Sequence, residues 1–160
     1  MTSLTRVRAI LLLTVFAVIA KSGPLFAADE VSGQFKGDGK DAKLAFVSAH
    51  KGDTLSDKPT FVIVMSEKDH SKDKKPEIKA GFGHYGSALI VTVHPDGKIV
   101  GFEVAHTAHQ KGMFNSLGNV TMSDFKMADG KIQGRIATDG EVTTFGQKWQ
   151  VNVKFNTKVQ

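Results

Sequence analysis

The stretch that decides the fold is Trp149-Gln150-Val151-Asn152-Val153-Lys154-Phe155, close to the C-terminus. Its apolar residues occupy every second position, and polar or charged residues stand between them. Because successive side chains of a β-strand point to opposite faces, this alternation predicts a strand with one buried and one hydrated face. The same period of two runs through most of the preceding chain, and no segment shows a convincing helical period. The pattern therefore predicts an all-β protein.

Further strands are predicted on the N-terminal side of this stretch, and Asp-Gly pairs that suit tight hairpin turns separate several of them. The strand from Thr60 is apolar on both faces, so we expect it to lie in the middle of a sheet. With Glu141–Phe145 counted or left out, the chain has nine or eight strands. We predict an antiparallel β-sandwich, with a flattened β-barrel as the alternative. The remaining predicted strands are Val31–Lys36, Ala42–Ala49, Thr60–Ser66, Ser87–His94, Lys98–Ala105, Asn119–Phe125 and Lys131–Thr138.

The first 28 residues have the layout of a cleavable signal peptide. Arg6 and Arg8 precede an apolar run, Ala9–Ala20, which is followed by Lys21 and by a small-residue segment ending at Ala28. The run is shorter than the roughly 20 apolar residues that a membrane-spanning helix needs. We expect residues 1–28 to be removed, with no membrane span left after cleavage. Residues 29–160 would then form a single domain in the periplasm or outside the cell.

Composition narrows the function classes. The leader holds three basic residues and no acidic one, so the mature chain would carry 18 Lys and Arg against 16 Asp and Glu, a net charge of about +2. Basic and acidic residues are mixed, without a basic stripe that carries aromatic residues, so nucleic acid is not an expected partner. The chain has no cysteine. Disulfides, thiol catalysis and thiolate metal sites are therefore excluded.

The sharpest local motif is His106-x-x-His109, with Met113 four residues further on. Imidazole nitrogens suit zinc or copper, and a thioether suits copper. On an irregular turn the two rings could converge on one ion, which makes these three residues the candidate metal site. No other cofactor is expected. Alternatively, His106 continues the core-facing row of its strand and His109 faces solvent.

A second candidate site lies around His84 and Tyr85, which are flanked by Gly81, Gly83 and Gly86. Glycine lets the backbone approach a ligand closely, so His84 and Tyr85 could help to form a ligand-binding cleft. The same glycines also suit a bulge before the next strand. The flanking region 67–86 and the region 106–118 are the two long connections of the chain, and binding residues are over-represented on such loops.

Three functional hypotheses follow. The favoured one is an exported, non-enzymatic binding or interaction module of the cell envelope, whose partner is an envelope or extracellular protein or a small ligand. The first alternative is a periplasmic zinc- or copper-binding protein that uses the His-x-x-His loop. The second is a hydrolase or lyase with a histidine base, which requires His84, His94 and His106 to line one cleft beside a carboxylate.

Two stretches also carry a resemblance. They are Val31-Ser32-Gly33-Gln34-Phe35-Lys36-Gly37 with the following Gly39–Ala45, and Asp129–Arg135 with Phe145–Trp149. Together they resemble small, uncharacterised exported bacterial β-domain proteins, over most of the mature chain. The matching features are turn glycines and strand alternation. The resemblance implies an exported β domain and no activity, and it assigns no catalytic or binding residue.

Overall fold

The structure is a computed structural model that describes residues 29–160. These residues form eleven strands and one short helix. The predicted signal peptide and its cleavage site lie outside the described residues. In chain order the elements are β1 (Glu30–Gly37), β2 (Lys40–Ala42), β3 (Phe46–Lys51), β4 (Phe61–Ser66), α1 (Glu77–Gly81), β5 (Ala88–Val93), β6 (Ile99–Ala105), β7 (Phe114–Asn115), β8 (Thr121–Ala128), β9 (Lys131–Ala137), β10 (Val142–Thr144) and β11 (Gln147–Lys158).

The strands form two antiparallel sheets, so the predicted β-sandwich is confirmed, and residues 29–160 form no closed barrel. The first sheet has the order β2-β1-β11-β9-β8, with β10 also paired to β11. The second sheet has the order β3-β4-β5-β6-β7. The strand that begins at Phe61 lies inside the second sheet, between β3 and β5, as its two apolar faces predict.

The core lies between the two sheets, and β11 supplies its central row. Trp149, Val151, Val153 and Phe155 are all buried, in the predicted alternation. The Trp149 indole stacks on the ring of Phe102 in the opposite sheet, with ring centroids 5.8 Å apart. Burying aromatic rings removes a large apolar area from water, and here it joins the two sheets directly.

Three predictions of local structure need correction. The run Ala42–Ala49 is not one strand: Ala42 pairs with Phe35 in the first sheet, whereas Phe46 pairs with Ser66 in the second. The chain changes sheets between them, and the apolar pattern continues across the crossing. The charged segment 67–79 contains the start of α1, and the connection 106–118 contains the two-residue strand β7. Both elements are too short to produce a periodic pattern.

The second sheet also carries a partial layer on its outer face, the face turned away from the first sheet. Helix α1 packs over β4, β5 and β6. Its Ala80 is fully buried in a small cluster with Val64, Tyr85, Ala88, Ile90 and Ala105. No helix within residues 29–160 is long and apolar enough to cross a membrane.

Candidate functional site

The layer over the second sheet leaves a groove beside α1, made of two adjoining clefts. The larger encloses about 370 Å³ and the smaller about 310 Å³. Phe82 and Met113 line both clefts and thus form their common wall, so we name the pair of clefts the Phe82–Met113 groove. The larger cleft is also lined by Gly81, Gly83, Gly86, Ala105, His106, Thr107 and Gly112, and the smaller by Val62, Glu77, Ile78, Ile90, Thr92 and Glu103.

Glycine makes the close approach at the common wall possible. A Cβ atom added at Gly81 would lie 2.5 Å from the Met113 Sδ. The floor of the groove comes from the outer face of the second sheet, where Ile90 pairs with Glu103 and Val62 pairs with Thr92. The 106–113 connection is fixed to this sheet because the Thr107 amide donates to the Ser87 Oγ at 3.1 Å. Phe82 and Met113 therefore belong to different chain segments, and each segment is held against the second sheet.

The walls expose large apolar side chains to solvent. Phe82 is 80% exposed, Ile78 67% and Met113 43%. Scattered apolar residues on a surface are ordinary, but here three of them line one concave site. Sites for small ligands are typically concave, mostly apolar and between roughly 300 and 1,000 Å³. The groove has these properties.

Two carboxyl groups line the smaller cleft, and their surroundings differ. The Glu77 carboxylate accepts a hydrogen bond from the His50 Nε2 at 2.9 Å, and the His50 Nδ1 lies 2.9 Å from the Lys51 carbonyl oxygen. Both ring nitrogens therefore face acceptors, and the Glu77 carboxylate has a hydrogen-bond partner in His50. The Glu103 carboxyl group, in contrast, forms no side-chain hydrogen bond or ion pair within residues 29–160, although the backbone of Glu103 pairs with Ile90 in the sheet. Burial, and secondarily the negative charge of Glu77, raise the pKa of Glu103.

The structure brings together the two histidines of the candidate metal site. His106 and His109 are both buried, with ring centroids 5.2 Å apart. His106 continues the core-facing row of β6, as expected, and its ring packs edge-on against Phe35 at 4.9 Å. The expectation that His109 faces solvent is wrong, because the connection turns back into the sandwich and packs this ring against Phe114. Met113 shares the larger cleft with His106.

Hydrogen bonds fix the tautomers of this pair. The Ala108 amide donates to the His106 Nδ1 at 3.0 Å, which places the His106 proton on Nε2. The Lys148 carbonyl oxygen accepts from the His109 Nε2 at 3.0 Å, which leaves the lone pair of His109 on Nδ1. The two remaining nitrogens, His106 Nε2 and His109 Nδ1, are buried and have no partner within residues 29–160. The pair thus presents one buried donor and one buried acceptor.

The tautomers of His106 and His109 bear on the hypothesis that this pair binds a metal ion. A metal ion requires a lone pair on each ligand, and of the two histidines only His109 offers one without loss of the hydrogen bond from Ala108. Residues 29–160 contain no group of three or more His, Cys, Asp or Glu side chains that could hold a metal. Zinc or copper binding by His106, His109 and Met113 stays a prediction. Burial, and secondarily the nearby His109, lower the pKa of His106, which keeps its imidazole neutral.

The other predicted site residues, His84, Tyr85 and His94, do not line the groove. His84 is exposed, whereas Tyr85 is buried and its hydroxyl donates to Asp73. The two residues follow α1, and the glycines around them line the larger cleft although His84 and Tyr85 do not. His94 is buried, with its Nδ1 3.0 Å from the Pro59 carbonyl oxygen. Of the three histidines that the hydrolase hypothesis requires, His106 alone lines this cleft.

Sequence reasoning missed Phe82, Glu77 and Glu103 as members of one site. Glu103 looks like the polar member of an alternating strand, because nothing in the local pattern shows that the outer face is partly covered. One feature of the sequence did point to that cover: β4 and β5 are apolar on both faces, with Val62, Val64 and Ile90 turned away from the core. Strands of this kind need a second layer to bury their outer apolar residues.

The chain matches no protein-family model, no curated protein and no solved structure. Its site chemistry therefore has to be inferred from its own side chains.

Proposed function

We propose that this protein is an exported, non-enzymatic binding module of the cell envelope whose Phe82–Met113 groove holds the apolar part of a small ligand. The observation that carries the proposal is the exposure of Phe82, Met113 and Ile78 on the walls of one concave site. A ligand that covers these side chains removes their apolar surface from water, at a gain of about 25 cal/mol per Å². Export rests on the predicted leader of residues 1–28.

The non-enzymatic character is supported by the state of the reactive groups. The two nitrogens of His106 are committed, one as acceptor from Ala108 and the other as a buried N–H. Glu77 is paired with His50. A histidine base needs a free lone pair within reach of the substrate, and His106, the histidine that lines the groove, offers none. The groove offers apolar contact and charge instead, which suits binding.

The proposal can be tested with N-phenyl-1-naphthylamine, a neutral probe whose fluorescence rises in an apolar site. We expect saturable binding at one equivalent, and weaker binding by about five- to ten-fold in Phe82→Ala and in Met113→Ala, because each variant removes a wall of the groove. Leu55→Ala is the matched control, since Leu55 is 48% exposed and does not line the groove. Equal affinity in the wild type and both groove variants would contradict the proposal.

A further inference from the structure

The chemistry of the smaller cleft defines the ligand more narrowly. Apolar side chains surround a carboxyl group, Glu103, that has no partner of opposite charge within residues 29–160. Glu103 lies on β6 and pairs with Ile90 on β5, so its position is fixed by the sheet rather than by a loop. A half-buried carboxylate without a counter-charge loses hydration and gains nothing in exchange. A ligand that supplies a positive charge compensates the Glu103 carboxylate for its lost hydration.

We infer that the Phe82–Met113 groove binds an organic ammonium ligand, with the protonated amine at Glu103 and the hydrocarbon part packed against Phe82 and Met113. The inference rests on the proposed function, because it concerns the ligand of the same groove. The exposed Phe82 ring adds to the recognition of such a ligand, since the face of an aromatic ring attracts a cation within about 6 Å.

Charge selects against the other ligand classes. An anion would face Glu103 and Glu77 in the same cleft, and like charges at short range repel. A neutral ligand would cover Glu103 and dehydrate its carboxylate further without pairing it. Of the two acids, Glu103 is the anchor, because the Glu77 carboxylate already accepts a hydrogen bond from His50 at 2.9 Å.

A metal cation fits the cleft less well than an ammonium group. Calcium takes six to eight oxygen ligands and magnesium six. The smaller cleft offers two carboxyl groups and the Thr92 hydroxyl among mostly apolar side chains. An ammonium group forms up to three hydrogen bonds and carries its own hydrocarbon chain, which the remaining lining can cover.

Three probes with the same ring and a similar short chain separate charge from apolar contact: 2-phenylethylammonium, 2-phenylethanol and 3-phenylpropionate. Each is titrated into the purified wild-type protein by heteronuclear NMR. We expect the ammonium probe to bind about ten-fold more tightly than the alcohol, and the carboxylate probe to bind more weakly than the alcohol. In Glu103→Gln the ammonium and alcohol probes should bind equally, with the alcohol affinity at least as high as in wild type.

Glu141→Gln is the matched control, because Glu141 pairs with Lys148 at 3.4 Å and does not line the groove. This variant should keep the preference for the ammonium probe. Binding of the alcohol that is no weaker than in wild type shows that Glu103→Gln is folded. Equal binding of the ammonium and alcohol probes by the wild type would overturn this inference and leave the proposed function standing. Failure of all three probes to bind would overturn the proposed function and this inference together.

Discussion

At the scale of single residues, Gly37 shows how one position decides the arrangement of the buried histidines. It lies at the end of β1, opposite Trp149. A Cβ atom added there would lie 2.4 Å from the His106 Cγ and 2.7 Å from the His109 Nε2. Glycine is needed here for space between the sheets, not for an unusual backbone angle.

Gly37→Ala should therefore push both imidazole rings out of place. We expect the free energy of unfolding to fall by about 1–3 kcal/mol, as for other overpacked cores. The His106 and His109 ring resonances should shift together in NMR spectra. Gly39→Ala is the control: Gly39 has open space around its Cβ position but a φ of +78°, so this change costs backbone energy without touching the rings. Histidine spectra that respond alike to both substitutions would show that no clash occurs at Gly37.

At the scale of elements, polar contacts attach the segment 67–86 to the second sheet and also join distant parts of the segment to each other. The Ser87 amide donates to the Glu67 carboxylate at 2.7 Å, and His50 pairs with Glu77. Asp73 receives hydrogen bonds from the Tyr85 hydroxyl and from the Lys79 Nζ. These contacts hold α1 over the sheet, although the helix has only five residues and would not form in isolation.

Tyr85→Phe removes a partly buried donor to a charged acceptor. We expect the free energy of unfolding to fall by about 1.5–3 kcal/mol, the usual range for a hydrogen bond to a charged group. Amide hydrogen exchange should quicken in residues 68–80 before it does in β4 or β5. Lys79→Met is the comparison, because Lys79 is an exposed partner of the same carboxylate and should contribute no more than about 1 kcal/mol. Equal losses in the two variants, or faster exchange across the whole sheet, would argue against this account.

The same segment shows where local patterns mislead. The charged run 67–79 predicts a solvated loop, and most of its residues are exposed. His70 is nevertheless 2% exposed, because its two ring nitrogens bond the hydroxyls of Ser48 and Ser66 on neighbouring strands. Both hydroxyls lie on the outer face of the second sheet. Ser66 precedes His70 by only four residues, whereas Ser48 lies 22 residues away on another strand. The fold brings Ser48 to His70, so that both nitrogens of the buried imidazole keep a hydrogen-bond partner.

At the scale of the whole molecule, buried histidines couple stability to pH. Burial lowers the pKa of His70, partly offset by the charges of Asp69 and Asp73, and burial also lowers the pKa of His106. In the unfolded chain both rings titrate near 6.5. Between their lowered folded values and about 6.5, the unfolded state binds more protons than the folded state. Stability is therefore complete above pH 6.5 and falls as the pH drops below it.

Each of these histidines contributes a slope of at most about 1.4 kcal/mol per pH unit in this window. Urea unfolding between pH 5 and 8 should show the decline in the wild type. His70→Gln should lower stability at pH 8 and flatten the decline below pH 6.5. His84→Gln, at an exposed ring, should leave both the stability and the slope close to wild type. A decline of unchanged steepness in His70→Gln and in His106→Gln would show that these rings do not cause it.

The sequence by itself determined the sandwich, the absence of cysteine chemistry and the place of the central strand, because strand alternation and turn residues are local properties. It also placed His106 in the core-facing row of β6. Only the tertiary structure decided that His109 turns inward, that Ala42 and Phe46 belong to different sheets, and that Phe82, Met113 and Glu103 line one groove. The physical reason is that each of these facts depends on which distant strand or loop covers a given side chain. A period of two records which face a residue occupies, and it carries no information about what packs on that face.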